Sequence, residues 1–461
     1  MSKILFNKVT IVALLTLLLL VPLTLIEDVI QERSYFRSAA RQDIAASWTG
    51  AQKLLGPLLV LPYQETVTES VWDAKLERHK EVTKLYRRSL LLLPEELQIT
   101  GSIATETRRR GLYEVPVYQA QLLIQGSFSN QGLLDLLRQS QNPPEVEDAR
   151  LAVLVSDVRG LVEQPKLTWA QAEIELQSGS GLAEDGSGMH AGVGRLDQTS
   201  ATRYPFRIAV TLRGMESIEL SPVGKDTRVE IDAAWPHPSF IGRFLPTQHQ
   251  IERDRFSAVW QASAFASDMA RTVQQIQKGD LSGFLSNTFG VSLINPVDIY
   301  QQAERSVKYG VLFLALSFTV FFLFEVMKQL RLHPMQYLLV GLALTVFYLL
   351  LLSLSEHFSF GPAYLIATLA SGSLIGVYLS AVLNNRLLGG GFAGMLFLLY
   401  GMLYGILRSE DNALLMGSLL LFVVLALVML VTRRVDWYAV SEQVSQQARG
   451  LRGETSDASA T

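Results

Sequence analysis

The chain has 461 residues, of which 49% are hydrophobic and 18% charged, with a formal net charge of -3 and no cysteine. So little charge falls below the roughly one quarter usual in soluble domains. The lack of cysteine excludes disulfides, haem thiolates, iron–sulfur clusters and Cys-type zinc sites. Charge is also unevenly spread: residues 27–308 carry 30 Lys/Arg against 35 Asp/Glu, a local net of -5, so no basic field for nucleic acid exists there.

The first apolar run, Val9 to Ile26, is uncharged and follows Lys3 and Lys8. No small-x-small cleavage site lies close behind it, which predicts an anchor helix rather than a signal peptide. Pro22 falls in its last turns and bends a lipid-embedded helix without ending it. Residues 27–60 read as a helix leaving the membrane, with Val29, Phe36, Ala40 and Ile44 near helical spacing.

The period then shifts toward two. Tyr118, Ala120, Leu122 and Ile124 alternate with neighbours that are polar except Leu123, as do Phe206, Ile208, Val210 and Leu212 with neighbours polar except Ala209, then Val229 and Ile231, then Ala172, Ile174 and Leu176. These are half-buried strands, while 151–157 (LAVLVSD) reads as a strand buried on both faces. Residues 133–139 and parts of 256–276 read as helical. The expectation for residues 27–308 is a mixed but mainly-β domain, one large unit or two smaller ones.

Five further apolar runs follow: Tyr309 to Phe324, Tyr337 to Leu354, Pro362 to Leu383, Leu387 to Leu407 and Ala413 to Val431. Each is near the length that crosses about 30 Å of hydrocarbon. The predicted fold class is therefore an α+β membrane protein with six transmembrane helices, one N-terminal and five C-terminal, and a large mainly-β periplasmic domain between spans one and two. The segments are 1–8 (cytoplasmic), 9–26 (anchor), 27–308 (periplasmic), 309–431 (five-helix bundle) and 432–461 (cytoplasmic tail, disordered from about 445). The basic clusters Lys3/Lys8, Lys328/Arg331, Arg386 and Arg433/Arg434 fall on one side of six spans. By the positive-inside rule both termini are then cytoplasmic.

No span centre holds an ionisable residue; Glu325, Glu356, Arg408, Glu410 and Asp411 lie at ends or in loops. This argues against ion-coupled pumping. Gly372/Gly376, Gly390/Gly394 and Gly401/Gly405 instead have the four-residue spacing of close helix packing, a cavity left by missing side chains being the other reading. His333 before Pro334 reads as a helix cap, since proline suits a first turn.

Catalytic signatures are scarce. There are six histidines but no HExxH, GxSxG or Walker-type loop. The glycine-rich 179–195 lacks the lysine of a phosphate loop and reads as flexible. Residues 235–246 (WPHPSFIGRFLP) stand out: two prolines stiffen the backbone around His237, and Trp235, Phe240 and Phe244 add aromatic surface. A rigid packed loop and a recognition surface formed by Trp235, His237, Phe240 and Phe244 are both open readings. A catalytic His237 lacks a neighbouring acid or nucleophile in the sequence. Asp157 and Arg159 are spaced for an ion pair at a turn. No cofactor or metal is expected.

The strings GPLLVLPYQE (56–65), SDVRGL (156–161), YPFRIAVTLRG (204–214), WPHPSFIGRFLP (235–246), 296–318 and 331–357 resemble the CreD family of inner-membrane cell envelope integrity proteins. The resemblance runs from the first span to Trp437. It implies an inner-membrane protein governed by a two-component envelope-stress system and linked to colicin tolerance and β-lactam response, with no catalytic residues to carry over. The leading expectation is a non-enzymatic protein whose periplasmic domain senses, scaffolds or contacts an envelope partner. The alternatives are a transporter or lipid-handling permease and an envelope-modifying enzyme. The expected partners are membrane lipid and a periplasmic or inner-membrane protein.

Overall fold

An uninterrupted helix, α1 (Lys3–Ser47), opens the structure, a computed structural model that describes residues 3–73, 78–140, 142–182, 186–269, 272–273, 286–293, 299–327, 332–409 and 413–433. Its 45 residues extend about 67 Å, more than twice a hydrocarbon core of about 30 Å, so helix and bilayer cannot share their limits. Pro22 lies inside it. The chain divides into two compact units, Met1–Arg37 with Val297–Thr461, and Ser38–Pro296.

Within the second unit, strands β1 (Gln52–Asp73), β2 (Arg78–Leu92), β3 (Glu96–Arg110) and β4 (Tyr113–Ser129) lead to α2 (Gln131–Gln139). Then come β5 (Glu145–Val146), β6 (Ala149–Val155), β7 (Lys166–Trp169), β8 (Ala172–Glu175), β9 (Gln177–Ser178), β10 (Gly188–Gly194) and β11 (Arg203–Met215). The unit continues with β12 (Ser217–Leu220), β13 (Asp226–Ala233), β14 (Pro238–Gly242), β15 (Gln248–Ile251), β16 (Phe256–Ser263) and β17 (Phe289–Leu293). One sheet runs β14-β17-β12-β1-β6-β10-β9 with β2 and β5 added to β1; the other runs β15-β16-β13-β3-β4-β11-β7-β8. Most pairs are antiparallel, but β1 with β12 and β13 with β3 are parallel, so the sheets are mixed.

The inner faces of both sheets feed one hydrophobic cluster that includes Leu58 and Val153 from the first and Ile99, Ile124 and Ile208 from the second. The period-two pattern explains why: Tyr118, Ala120, Leu122 and Ile124 are buried on β4, and Phe206, Ile208, Val210 and Leu212 on β11. Leu151 to Val155 are all buried on β6, an interior strand between β1 and β10. Of residues 256–276, 256–263 form strand β16 with Phe256, Ala258, Trp260 and Ala262 buried in alternation, while Met269, Thr272 and Val273 are helical. Apolar side chains two apart override the helical propensity of the alanines. Residues 270–271 and 274–276 lie outside the described residues.

The first unit adds α3 (Ile299–Met327), α4 (Pro334–Ser355), α5 (Phe360–Val382), α6 (Arg386–Arg408) and α7 (Ala413–Thr432). Here the expected six spans give way to five. Among the described residues, five helices are long and apolar enough to cross a membrane: one from Val9, then those of α3 to α6. The apolar stretch of α7 is Leu415–Leu430, about 24 Å of helix, short of the roughly 30 Å of hydrocarbon. An even span count was what put both termini on one face, and that placement loses its basis.

His333 precedes α4 as its N-cap, with its ring accepting from Met335 N and the Gln336 side chain accepting from the His333 backbone N–H. Pro334 takes the first helical position, whose N–H needs no partner. Glu325, at the end of α3, is only 4% exposed. Its carboxylate accepts from Tyr337 Oη at 2.8 Å and Leu332 N at 3.1 Å. A span-end acid is thus buried and satisfied by the start of the next helix.

Candidate functional site

The segment singled out for its prolines and aromatics becomes edge strand β14 and the turn into β15. β14 pairs through one side only, with β17, from Pro238↔Leu293 to Gly242↔Phe289. Pro238, which has no N–H, opens the strand, a position proline tolerates. Gly242 ends it with φ 95°. A Cβ there would lie 2.2 Å from the Thr288 carbonyl oxygen, so the chain turns where only glycine fits.

The four candidate recognition residues divide. Phe240 is half-buried, its ring centroid 5.7 Å from that of Trp260 and 5.4 Å from that of His249. Phe244 meets Phe289 edge-on at 6.1 Å. Trp235 is half-buried and donates Nε1–H to the His237 carbonyl at 3.0 Å. His237 is exposed, and its ring makes no hydrogen bond among the described residues. The aromatics therefore anchor the segment to the core, while the groups offered outward include Leu245, 71% exposed, and Ile251, 49% exposed. Sequence reading missed both, because a lone leucine or isoleucine in a polar stretch carries no pattern.

A second convergence lies where β1, β4, β6 and β11 meet. Gln52, fully buried, donates Nε2–H to the carbonyls of Asp157 and Arg213 at 3.1 and 3.0 Å and accepts at Oε1 from Ser156 Oγ at 3.0 Å. Tyr118 donates its hydroxyl to the Ser217 carbonyl at 2.7 Å, and burial pushes that phenol well above its ordinary range. Three strings distant in sequence thus meet: SDVRGL supplies Ser156 to Gly160, YPFRIAVTLRG ends at Arg213 and Gly214, and Gln52 opens the strand that carries GPLLVLPYQE.

Beside this knot the Trp48 ring has the Arg108 guanidinium 4.4 Å from its centroid and that of Arg213 at 4.7 Å. These cation–π contacts were not legible, since the three residues are far apart in the chain. Asp157 and Arg159 do form the expected pair, at 2.6 Å, and Arg159 Nη1 also donates to the Ala46 carbonyl at 2.8 Å. The Arg159 side chain holds the Asp157 carboxyl below the ordinary range for aspartate.

The six bundle glycines also divide. A Cβ on Gly372 would lie 2.3 Å from the Phe397 ring, and one on Gly376 2.8 Å from Ala393 Cβ, so these two bring α5 against α6. Among the described residues Gly405 has only Met416 at 3.4 Å, and Gly390, Gly394 and Gly401 have nothing within 4 Å. Two further close approaches are Gly389, whose Cβ would meet Ser380 Oγ at 2.1 Å, and Gly341, which faces Leu19 of α1 at 2.1 Å. Ser380 is four residues past Gly376 on the same helical face, which was the available signal.

Among the described residues no three His, Cys, Asp or Glu side chains are grouped to hold a metal ion. A pair of sheets inserted after the first of several apolar spans defines a polytopic membrane protein with a large extramembrane β domain. Comparison narrows this: the model of the family described as inner membrane protein CreD matches residues 4–438, and the chain belongs to that family. It is 37% identical over 445 residues to the inner membrane protein CreD of Escherichia coli (strain K12), covering 95% of this chain and 94% of that protein. The chain is accordingly a multi-pass inner-membrane protein with a periplasmic segment. Among solved structures it aligns with a putative nutrient binding protein from Legionella pneumophila at 7% identity and TM-score 0.22, covering 49% of this chain and 77% of that one. It aligns with an M1 zinc metallopeptidase from Deinococcus radiodurans at 8% identity and TM-score 0.18, covering 37% and 39%. Alignments at this level establish neither a common fold nor a common function.

Proposed function

We propose that residues 27–308 face the periplasm, that the N-terminus is cytoplasmic, and that the β domain contacts an envelope protein through the edge formed by β14 and the turn after it. Lys3 and Lys8 before the first span support the orientation. The single observation that carries the contact surface is the outer side of β14, which has no neighbouring strand among the described residues. An unpaired edge offers backbone N–H and C=O groups to an extended partner segment. Phe240 and Phe244 fix that edge to the core, so little ordering entropy is lost on binding. Leu245 and Ile251 provide apolar contact at its end. Trp235 and His237 belong to the same surface as its support and its exposed polar group.

A photo-crosslinking residue at Leu245 in intact cells tests this. Capture of one discrete envelope protein, lost when a proline replaces Ile241, supports the reading. Capture of lipid alone, or the same product from a probe at exposed Leu112 on the β3–β4 turn, removes it.

A further inference from the structure

A groove of about 460 Å³ runs between α5 and α6. Its walls include Gly361, Tyr364, Thr368, Phe397, Gly401 and Tyr404. The two glycines hold it open. Gly401 has no atom within 4 Å of where its Cβ would be, and a Cβ on Gly361 would meet only the Tyr404 hydroxyl, at 3.3 Å. Phe397, seated against Gly372, closes the inner end.

Two hydroxyls in these walls make no hydrogen bond among the described residues, as is also true of Ser306, Ser317 and Tyr348 elsewhere in the bundle, whereas others of the bundle do. Tyr364 donates to the Tyr400 carbonyl at 2.7 Å, and Ser371 to the Ala343 carbonyl at 3.1 Å. Thr368 Oγ1 has no hydrogen-bond partner among the described residues although Thr368 is only 8% exposed. The Tyr404 hydroxyl makes no hydrogen bond among the described residues. An unpartnered hydroxyl within a membrane helix is costly unless something else accepts from it.

The setting selects the occupant. Leu365 and Leu369, beside Thr368 on α5, are 58% and 50% exposed, and Leu398 and Met402 flank Phe397 and Gly401 on α6 at 58% and 40%. The groove is therefore continuous with the apolar surface that meets lipid tails. Tyr404 lies one turn from the end of α6, and Gly361 is the second residue of α5. The mouth is thus at the level where tyrosines meet the lipid ester region, and Thr368 lies about 10 Å further in along the helix. An acyl chain fills the apolar slot, and an ester carbonyl supplies the missing acceptor.

We propose that this groove is a seat for one acyl chain of a glycerophospholipid, in the leaflet next to the start of α5, with Tyr404 and Thr368 as donors to its ester groups. This is a bound lipid and not a transported one, and it does not depend on the β14 edge.

The test uses the full-length protein in vesicles of phosphatidylethanolamine and phosphatidylglycerol doped with a phosphatidylethanolamine bearing a photoactivatable acyl chain. Crosslinked peptides from α5 and α6 are expected to dominate over those from Leu415–Leu430. Gly401→Phe fills the groove without displacing a neighbour and abolishes that crosslink. Thr368→Val keeps the shape, removes the hydroxyl and reduces it roughly fivefold. Unchanged thermal stability of both variants establishes that they are folded. Crosslinks spread evenly over the apolar helices, or unaffected by Gly401→Phe, overturn the proposal. So does a crosslinked dimer abolished by the same substitution, which makes a second copy the occupant.

Discussion

The hydroxyl of Tyr118 occupies the space that a side chain on Gly214 would need: a Cβ there would sit 2.2 Å from it. Tyr118 is held in place by its bond to the Ser217 carbonyl and by burial of the whole ring, so it has nowhere to retreat. Gly214→Ala is expected to destabilise the domain by about 2–3 kcal/mol, as overpacking of a full core does. Tyr118→Ala removes both the hydroxyl and the ring carbon Cζ, which would lie 2.3 Å from that Cβ, and leaves a cavity that costs about 3–5 kcal/mol. The double variant should then lose less than the sum of the two single losses. Denaturant unfolding of the four proteins, followed by tryptophan fluorescence, gives the coupling. Additive losses would mean that the two positions do not compete for one volume.

Acid stability should depend on two carboxylates. Asp157 is held below the ordinary aspartate range first by the Arg159 side chain, and Asp197 by the hydroxyls of Ser200 and Thr199, at 2.6 Å each, and the Thr199 amide. A lowered folded-state pKa means that the unfolded chain binds more protons, so stability rises with pH across the gap. The contribution is complete above the unfolded value of about 3.9 and is lost as pH falls through the folded value. Asp157→Asn and Asp197→Asn should therefore lower the melting temperature at neutral pH and flatten its decline below about pH 4. Melting curves from pH 7 to 3 would show it. Parallel declines in wild type and variants would count against both pairs as the source.

The sandwich of Arg108, Trp48 and Arg213 makes a separate claim. Removing either guanidinium should cost about 0.5–1 kcal/mol, the range for exposed cation–π contacts. Trp48→Ala should cost more, since Ile44, Val115, Val117 and Met215 lose a packing neighbour. Once Trp48 is gone, removing Arg108 should cost nothing further. Chemical denaturation of the single and double variants would decide; an undiminished cost for Arg108 on the Trp48→Ala background would assign its effect to something other than the ring.

Period-two strands were legible wherever one face is buried, because burial itself writes the alternation: Ile208 and Val210 point inward and Arg207 and Ala209 outward. Within 256–276 the boundary between strand and helix was not legible, because alanines between aromatics have high helix propensity while the sheet supplies the burial that decides. The long apolar runs were plain, but within α7 the described apolar stretch is Leu415–Leu430, shorter than those of α3 to α6. The chemistry of the Gln52 knot was not legible at all. Its members meet only after β1, β4, β6 and β11 have paired, and a glutamine at the head of a strand has no local signature. The aromatics of 235–246 were legible as unusual but not as anchors, since their partners Trp260 and Phe289 come later in the chain.

Orientation can be read independently of the later spans. With a cytoplasmic N-terminus, a periplasm-active reporter fused after Arg110 should be active, and one fused after His333, between α3 and α4, inactive. A cytoplasm-active reporter should give the reverse pair. Activity of the same reporter at both points would contradict a membrane crossing by α3, whatever the first helix does.

Gly372 and Gly394 have the same residue type and neighbouring helices but opposite surroundings. A side chain on Gly372 meets Phe397 at 2.3 Å; one on Gly394 meets nothing within 4 Å. Lipid tails give helices no hydrophobic reason to associate, so contact quality decides. Gly372→Leu should push α5 from α6 and cost about 1–3 kcal/mol. Gly394→Leu only adds apolar surface toward lipid and should stay within about 0.5 kcal/mol of wild type. Thermal aggregation in a mild detergent separates them. If Gly394→Leu were the more damaging, its open face would have to be covered by another helix in the membrane, and the same variant run by size-exclusion chromatography would then show a lost oligomer.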